Sequence, residues 1–223
     1  MTIYPMNGRA PYYTNCYLVI GDAPAADGKR AAVLVDASLT PQQVQLQLDK
    51  FDASLYAILL THGHHDHVEQ LAELRKTFNA PVWLAQADQV QFGLDAENVY
   101  PEETLAFGDL SLQPMATPGH TPGSTCLVCG KVLFAGDTLF ADSVGRTDLP
   151  GGDGAVLCAT LARMAQLLSP ELQILPGHGD FPPWHRKSSA TLICGMPSAT
   201  RRDPFDCIEE RYENFCSGAC QYL

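Results

Sequence analysis

Basic residues are scarce in this chain of 223 residues. Only 14 Lys or Arg stand against 25 Asp or Glu, and the formal net charge is −11. An acidic surface repels the phosphates of nucleic acids and the head groups of anionic lipids. We therefore expect neither nucleic acid nor a membrane surface as a partner.

Long apolar runs are also absent, although 46% of the residues are hydrophobic. None approaches the roughly 20 residues of a membrane span. The start, MTIYPMNGRAPYYTNCYLVI, does not show a basic region, an apolar region and a cleavage site in that order, so we expect no signal peptide. The eight cysteines, irregularly spaced, then indicate reduced thiols, and we expect a cytoplasmic protein.

Up to residue 180 the sequence alternates between strand-like and helix-like segments, which predicts one α/β domain over residues 1–180. Thr40 and Pro41 are typical of a helix start. The predicted helices are 41–50, 68–78 and 154–168. The predicted strands are 15–20, 31–36, 55–60, 81–84, 110–116, 124–129, 132–135 and 172–175.

Histidines and aspartates cluster directly after four of these strands. Four of the seven histidines lie in THGHHDH, residues 61–67, and the other clusters are TPGH, AGDT and PGHG. Loops at one edge of a rigid sheet are where sites are usually built. The clusters supply seven candidate site residues: His62, His64, Asp66, His67, His120, Asp137 and His178.

Imidazole and carboxylate groups together suit divalent metals such as zinc, iron or manganese. The His-x-His pair can bring two imidazoles to one ion, the Asp-His pair that follows can reach a second, and Asp137 can bridge them. Two metals about 3.5–4 Å apart generate a strong nucleophile from water at neutral pH. Any single member could be an ordinary polar loop residue, but the whole set indicates a metal site. We interpret His65 as a spacer, and His185 lies outside the pattern.

The motif H-x-H-x-D-H at 62–67, followed in order by TPGHTPGS, FAGDTLF and PGHG, resembles the metallo-β-lactamase superfamily over residues 12–180. This resemblance implies a four-layer αββα sandwich with two divalent metal ions, most often zinc, at the edge of the sheets. It implies that the first metal is held by His62, His64 and His120. It implies that the second is held by Asp66, His67 and His178, with Asp137 as the bridge.

Within the superfamily, GRTDLPGGD at 145–153 and TNCYLV near the start look like the single-domain glyoxalase II-like group, the hydroxyacylglutathione hydrolases. The implied reaction is hydrolysis of thioesters such as S-(2-hydroxyacyl)glutathione by attack of a metal-bridging hydroxide. Asp66 would be both a ligand and the catalytic residue that orients the hydroxide. Arg146 and Asp148 form either a salt bridge that fixes their loop or a contact with the substrate.

Other activities are compatible with these motifs. Persulfide dioxygenases have motifs similar to these and use one iron. That iron would here be held by His62, His120 and Asp137. A β-lactamase is disfavoured because we expect no export signal, and RNA-processing relatives are longer. A non-catalytic metal-binding protein is the alternative from a different class.

The segment 181–223 departs from the family pattern. It holds four of the eight cysteines, and no periodicity of a helix or strand is visible before Cys207. Back-translation of PPWHRKSSATLICG into the neighbouring frame recovers Asn-Pro-Tyr, which the family pattern contains near this point. We therefore hypothesise that the chain from about Phe181 is translated out of frame and does not pack on the domain. The alternative is a divergent native tail.

The pair Cys126-x-x-Cys129 has the spacing of a redox or metal motif. It lies within a predicted strand, where residues three apart point to opposite faces. We therefore predict that both cysteines pack in the core.

Overall fold

The computed structural model describes residues 1–140, 143–169 and 171–179, so the hypothesis about residues 181–223 and the interpretation of His185 lie outside the described residues. The strands are β1 Thr2–Asn7, β2 Asn15–Pro24, β3 Arg30–Val35, β4 Ala53–Leu59, β5 Val82–Trp83, β6 Leu105–Phe107, β7 Leu110–Ala116, β8 Thr125–Cys129, β9 Val132–Gly136 and β10 Gln173–Pro176. The helices are α1 Pro41–Phe51, α2 His65–Val68, α3 Leu71–Phe78, α4 Gln86–Phe92 and α5 Gly154–Leu167.

The strands form two five-stranded sheets, and each sheet comes from one continuous half of the described chain. The first has the order β1-β2-β3-β4-β5 and the second β10-β9-β8-β7-β6. β3, β4 and β5 run parallel, as do β9 and β10, while the other pairs are antiparallel. The helical connections between parallel strands cover the outer faces of the sheets.

Three apolar clusters separate four layers. Between the sheets, Tyr17 of β2 packs against Phe134 of β9 with ring centroids 5.3 Å apart. Helices α1 and α3 pack against the outer face of the first sheet, for example through Leu48 and Leu74. The outer face of the second buries α5 through residues such as Leu161. The arrangement is the predicted αββα sandwich.

Helix α1 shows how local sequence sets one of these layers. The Thr40 hydroxyl accepts a hydrogen bond from the backbone N–H of Gln43, and the Gln43 side chain binds back to Thr40. This capping box stabilises the helix start, and Pro41 needs no N–H partner at the first position. Val44 and Leu48, four residues apart, are buried against the first sheet. The predicted helix start is confirmed.

The predicted helix 68–78 is wrong in its first part, where the chain forms α2, a break and then α3. Gln70 has φ −106° and ψ 6°, and its backbone N–H donates to the carbonyl of Ala37 rather than continuing a helix. The N–H of Ala37 in turn donates to the carbonyl of His67. Tertiary hydrogen bonds with the loop after β3 thus override the helical periodicity.

β1, β6 and α4 were not among the predicted elements. Helix α4, with the sequence QADQVQF, has no buried apolar stripe, because Val90 is 76% exposed and the buried member is Asp88. Apolar periodicity, the main sequence signal for a helix, is therefore missing there.

Cys126 and Cys129 lie on opposite faces of β8, as predicted. Cys126 belongs to the cluster under α5 and Cys129 to the cluster between the sheets. Burial raises the pKa of the Cys126 thiol to about 11, which disfavours the reactive thiolate. Both are free thiols packed in the core.

Four loops emerge where β4, β7, β9 and β10 end, and these loops carry the histidine and aspartate clusters. Among the described residues, no helix is both long and apolar enough to cross a membrane.

Candidate metal centre

The seven predicted site residues meet where the four loops converge. Their nitrogen and oxygen atoms form three overlapping groups, and the ligand atoms within each group lie within 4.8 Å of one another. The groups are His62, His64 and His120; His62, His67 and Asp137; and Asp66, His67 and His178. Residues from distant parts of the chain thus form one candidate centre, while their roles as ligands stay a prediction.

The three-histidine group, defined as His62, His64 and His120, joins the loop after β4 to the loop after β7. The His64 Nδ1 and His120 Nε2 atoms are 2.9 Å apart, and the His62 ring lies 4.9 Å and 4.8 Å from the other two ring centroids. Burial, followed by the charge of neighbouring histidines, lowers the pKa of His62 well below its usual value and that of His64 to about 4. Neutral imidazoles are the form that binds a metal.

The second group, defined as Asp66, His67 and His178, joins α2 to the loop after β10. The His178 Nε2 atom lies 3.0 Å from Asp66 Oδ2 and 3.4 Å from His67 Nε2. Burial raises the pKa of Asp66, but the hydrogen bond from His178 and the charge of His67 outweigh it, so the pKa lies below its usual value. Asp66 is therefore ionised at neutral pH.

Asp137 lies between the two groups and faces both. Its Oδ1 is 3.3 Å from His67 Nε2, and its Oδ2 is 3.5 Å from His178 Nε2 and 3.7 Å from His120 Nε2. Burial raises the pKa of Asp137, but the adjacent His67 lowers it more, and the net direction is downward. An ionised carboxylate whose oxygens lie near histidines of both groups is placed to contribute to either one.

The donor atoms are arranged as ligands of a divalent cation rather than as hydrogen-bond partners of one another. His62 Nε2 and Asp137 Oδ1 are buried and make no hydrogen bond within the described residues. Imidazole nitrogens at 2.9 Å, as in His64 and His120, must share either a proton or a cation. Buried polar atoms without partners are costly, so an ion coordinated by this set would remove the cost.

Contacts outside the centre fix the orientation of the histidine rings. The Nδ1 atoms of His67, His120 and His178 point away from the centre, toward an Asp36 oxygen at 2.8 Å, the Arg146 carbonyl at 2.7 Å and the Tyr12 carbonyl at 3.2 Å. Because these partners accept hydrogen bonds, each Nδ1 donates to its partner, and the Nε2 atom of each ring is directed at the centre. Such partners orient metal-binding histidines in proteins.

Asp36 was not among the predicted site residues, because we placed it within the strand 31–36. It instead follows β3 with φ 61°, is buried, and accepts hydrogen bonds from the backbone and hydroxyl of Thr61 as well as from His67. Asp137 was identified because a carboxylate follows the apolar run KVLFAG. Asp36 follows the apolar run AAVLV in the same way, so the same criterion identifies Asp36 as a candidate.

Gly177 is required by the close approach of the loops after β9 and β10. A Cβ atom at this position would lie 2.2 Å from Asp137 Oδ1 and 2.7 Å from His67 Cε1. Only a residue without a side chain fits there.

The Arg146–Asp148 salt bridge is confirmed. Both carboxylate oxygens accept hydrogen bonds of 2.7 Å from the Arg146 guanidinium, and the pair is exposed. Because the Arg146 carbonyl also binds His120, the pair fixes a loop that orients one histidine of the centre.

His65 is exposed and belongs to none of the three groups, as its interpretation as a spacer requires. We expect His65→Ala to keep the metal content of the unsubstituted protein, since no donor atom of the centre is removed. His64→Ala, at the adjacent position and in the three-histidine group, is the matched comparison and should lose metal. Metal per chain, measured after dialysis, checks both, and loss of metal from His65→Ala would contradict the assignment.

Two packed sheets with helices outside them and a histidine–aspartate cluster at the end of their strands define an αββα protein with a candidate metal centre. Residues 9–178 match the family model described as the metallo-beta-lactamase superfamily, and the chain belongs to this superfamily.

Relatives with similar sequences include proteins described as hydrolases. The chain is 29% identical over 179 residues to the "Probable polyketide biosynthesis zinc-dependent hydrolase PksB" of Bacillus subtilis, a match that covers 79% of this chain and 78% of that protein. It is 28% identical over 191 residues to the "Hydroxyacylglutathione hydrolase GloC" of Haemophilus influenzae, with coverage of 76% and 87%.

Solved structures with this fold carry different descriptions. The BLEG-1 B3 metallo-beta-lactamase superposes with a TM-score of 0.69 at 29% identity, over 80% of this chain and 92% of that one. TTHA1623, solved in a di-iron-bound form, superposes with a TM-score of 0.64 at 33% identity, over 79% and 92%. The fold is therefore shared by proteins whose described chemistry differs.

Proposed function

We propose that the protein is a metal-dependent hydrolase that cleaves small-molecule thioesters, such as S-(2-hydroxyacyl)glutathione, at a centre for two divalent ions, most often zinc. The observation that carries this proposal is the position of Asp137, whose two oxygens face the two groups of donor atoms. The relatives described as a zinc-dependent hydrolase and as a hydroxyacylglutathione hydrolase support the proposal.

In this proposal the three-histidine group would hold one ion and Asp66, His67 and His178 would hold the other, with Asp137 able to contribute to both. Two such ions would supply polarisation of a carbonyl and activation of water at neutral pH. The ionised Asp66, whose Oδ2 accepts a hydrogen bond of 3.0 Å from the Thr14 hydroxyl, would orient the water. Hydrolysis needs no strong general acid here, because a thiolate is a good leaving group.

The loop motif GRTDLPGGD supports a thioester substrate, since it resembles the glyoxalase II-like group and lies at the centre. Its Arg146 carbonyl binds His120, and a Cβ at Gly145 would meet the backbone of Asp137. A charge of −11 disfavours nucleic acid and anionic membranes as partners, so a small molecule in the cytoplasm is the substrate that we propose.

Oxidation of a persulfide at a single iron is the second candidate function. Its three ligands would be His62, His120 and Asp137, and all three lie in the centre, with His120 Nε2 3.7 Å from Asp137 Oδ2. The three groups of donor atoms in the described residues do not include this set as a group of its own.

Metal content and activity of the full chain, measured together, separate these functions. We expect two metals per chain and hydrolysis of S-lactoylglutathione, with activity lost on chelation and restored by zinc. One iron per chain with persulfide-dependent oxygen uptake would support the dioxygenase. Hydrolysis of a β-lactam in place of the thioester, or bound metal without any of these activities, would refute the proposal.

A further inference from the structure

We propose that Asp88 is a positioning residue for the three-histidine group, acting through the two loops that carry His62, His64 and His120. This inference rests on the proposed metal centre and adds a residue outside the seven predicted ligands. Asp88 lies in α4, a helix whose sequence has no apolar periodicity. Its side chain contacts no ligand directly and reaches the centre through the backbone on either side of the histidines.

The Asp88 carboxylate joins the loop after β4 to the loop after β7. Its Oδ2 accepts a hydrogen bond of 2.8 Å from the backbone N–H of Gly63, which lies between His62 and His64. The same oxygen accepts one of 2.8 Å from the hydroxyl of Thr121, the residue after His120. Oδ1 accepts one of 2.6 Å from the N–H of Gly123.

These hydrogen bonds are buried and close-packed, so the two loops have little freedom to move apart. Asp88 has no solvent-exposed surface. A Cβ at Gly63 would lie 2.3 Å from the Phe92 ring of the same helix, and a Cβ at Gly123 would lie 2.6 Å from Asp88 Oδ1. Both glycines therefore allow the loops to approach α4 closely enough for the carboxylate to bind both.

Phe92 gives α4 a second contact with the same group of histidines. Its ring packs against that of His64 with centroids 5.1 Å apart and an interplanar angle of 69°. His64 differs here from His67, His120 and His178, whose rings are held by hydrogen bonds at Nδ1, because the Nδ1 of His64 faces His120. The position of His64 thus depends on backbone held by Asp88 and on packing against Phe92.

Asp36 provides a natural comparison, because it is also buried but contacts a histidine of the second group directly. Its Oδ2 lies 2.8 Å from His67 Nδ1, and it accepts hydrogen bonds from the backbone and hydroxyl of Thr61. The Thr61 hydroxyl lies 3.1 Å from His62 Nδ1, so Asp36 reaches both groups, and replacing it should weaken both metal sites, whereas replacing Asp88 should weaken one.

The experiment is a zinc titration of the metal-free full chain, followed by the imidazole nitrogen resonances of the individual histidines. We expect Asp88→Asn to weaken zinc binding at His62, His64 and His120 by about 10–100-fold, the usual effect of losing such a partner, with binding at His67 and His178 less affected. The amide keeps one acceptor oxygen and has an NH2 group in place of the other, so either the Gly63 or the Gly123 N–H loses its acceptor. Asp36→Asn should lack this selectivity and weaken binding at both groups, because Asp36 contacts His67 directly and His62 through Thr61.

Two further variants separate positioning from general destabilisation. Thr121→Val removes one of the three hydrogen bonds while preserving the shape of the side chain, and it should weaken the same site by a smaller factor. Leu74→Ala removes packing in the core under α3 but none of these hydrogen bonds, and it should leave both zinc affinities unchanged in the folded protein.

An equal loss at both sites in Asp88→Asn, or no loss at either, would overturn the positioning role and leave the proposed function intact. A failure of the unsubstituted protein to bind zinc at the three-histidine group would instead refute the two-ion centre, and this inference with it. The titration measures zinc affinity and not thioester hydrolysis, so its result does not depend on which substrate the protein cleaves.

Discussion

Asp137→Ala is expected to lower thioester hydrolysis by roughly two to four decades, because the main electrostatic group between the two ions is lost. Without this carboxylate, the cations would face each other with no shared anion from the protein. We also expect one of the two metals to be lost. Steady-state hydrolysis of S-lactoylglutathione and metal per chain of the purified variant measure the two effects.

Asp49→Ala is the control for this variant, since it removes an exposed carboxylate whose hydrogen-bond partner among the described residues is Gln45 on the surface of α1. It should keep full activity and both metals. Full activity with both metals in Asp137→Ala would show that the bridging assignment is wrong.

Phe134→Ala should reduce the free energy of unfolding by about 3–5 kcal/mol, the usual cost of removing a buried aromatic ring. Phe134 is fully buried between the sheets and packs against Tyr17. The free energy should be measured by denaturant unfolding of the metal-free protein, because a bound ion adds stability of its own.

Phe134→Leu keeps an apolar side chain in the same space and should cost clearly less than the alanine variant. Equal losses in the two variants would mean that ring packing between the sheets contributes little to stability.

The sequence predicts the centre well because its signals are local. Each candidate residue follows a short apolar run, and such a run forms a strand whose end lies at the edge of a sheet. His120, Asp137 and His178 could therefore be placed near the H-x-H-x-D-H motif without any knowledge of distances. The two-sheet architecture itself came from the resemblance, since the strand pattern alone does not specify which strands pair.

The residues that orient the histidines are harder to predict from the sequence, because contacts with distant parts of the chain determine their burial and hydrogen bonds. Asp88 lies in a polar seven-residue helix, and it is buried only because two loops from elsewhere in the chain close over it. The interruption at Gln70 has the same origin, since its backbone bonds to Ala37 across the sheet edge. Neither periodicity nor motif spacing contains information about such contacts.

Each half of the described chain builds one complete sheet but supplies only part of each group of donor atoms. His62 and His64 come from the first half and His120 from the second, and the same division separates His67 from His178. An ion held by either group would therefore stabilise the contact between the halves, and its release would be coupled thermodynamically to their separation. A substitution that loosens the packing between the two sheets should therefore also lower the affinity for such an ion.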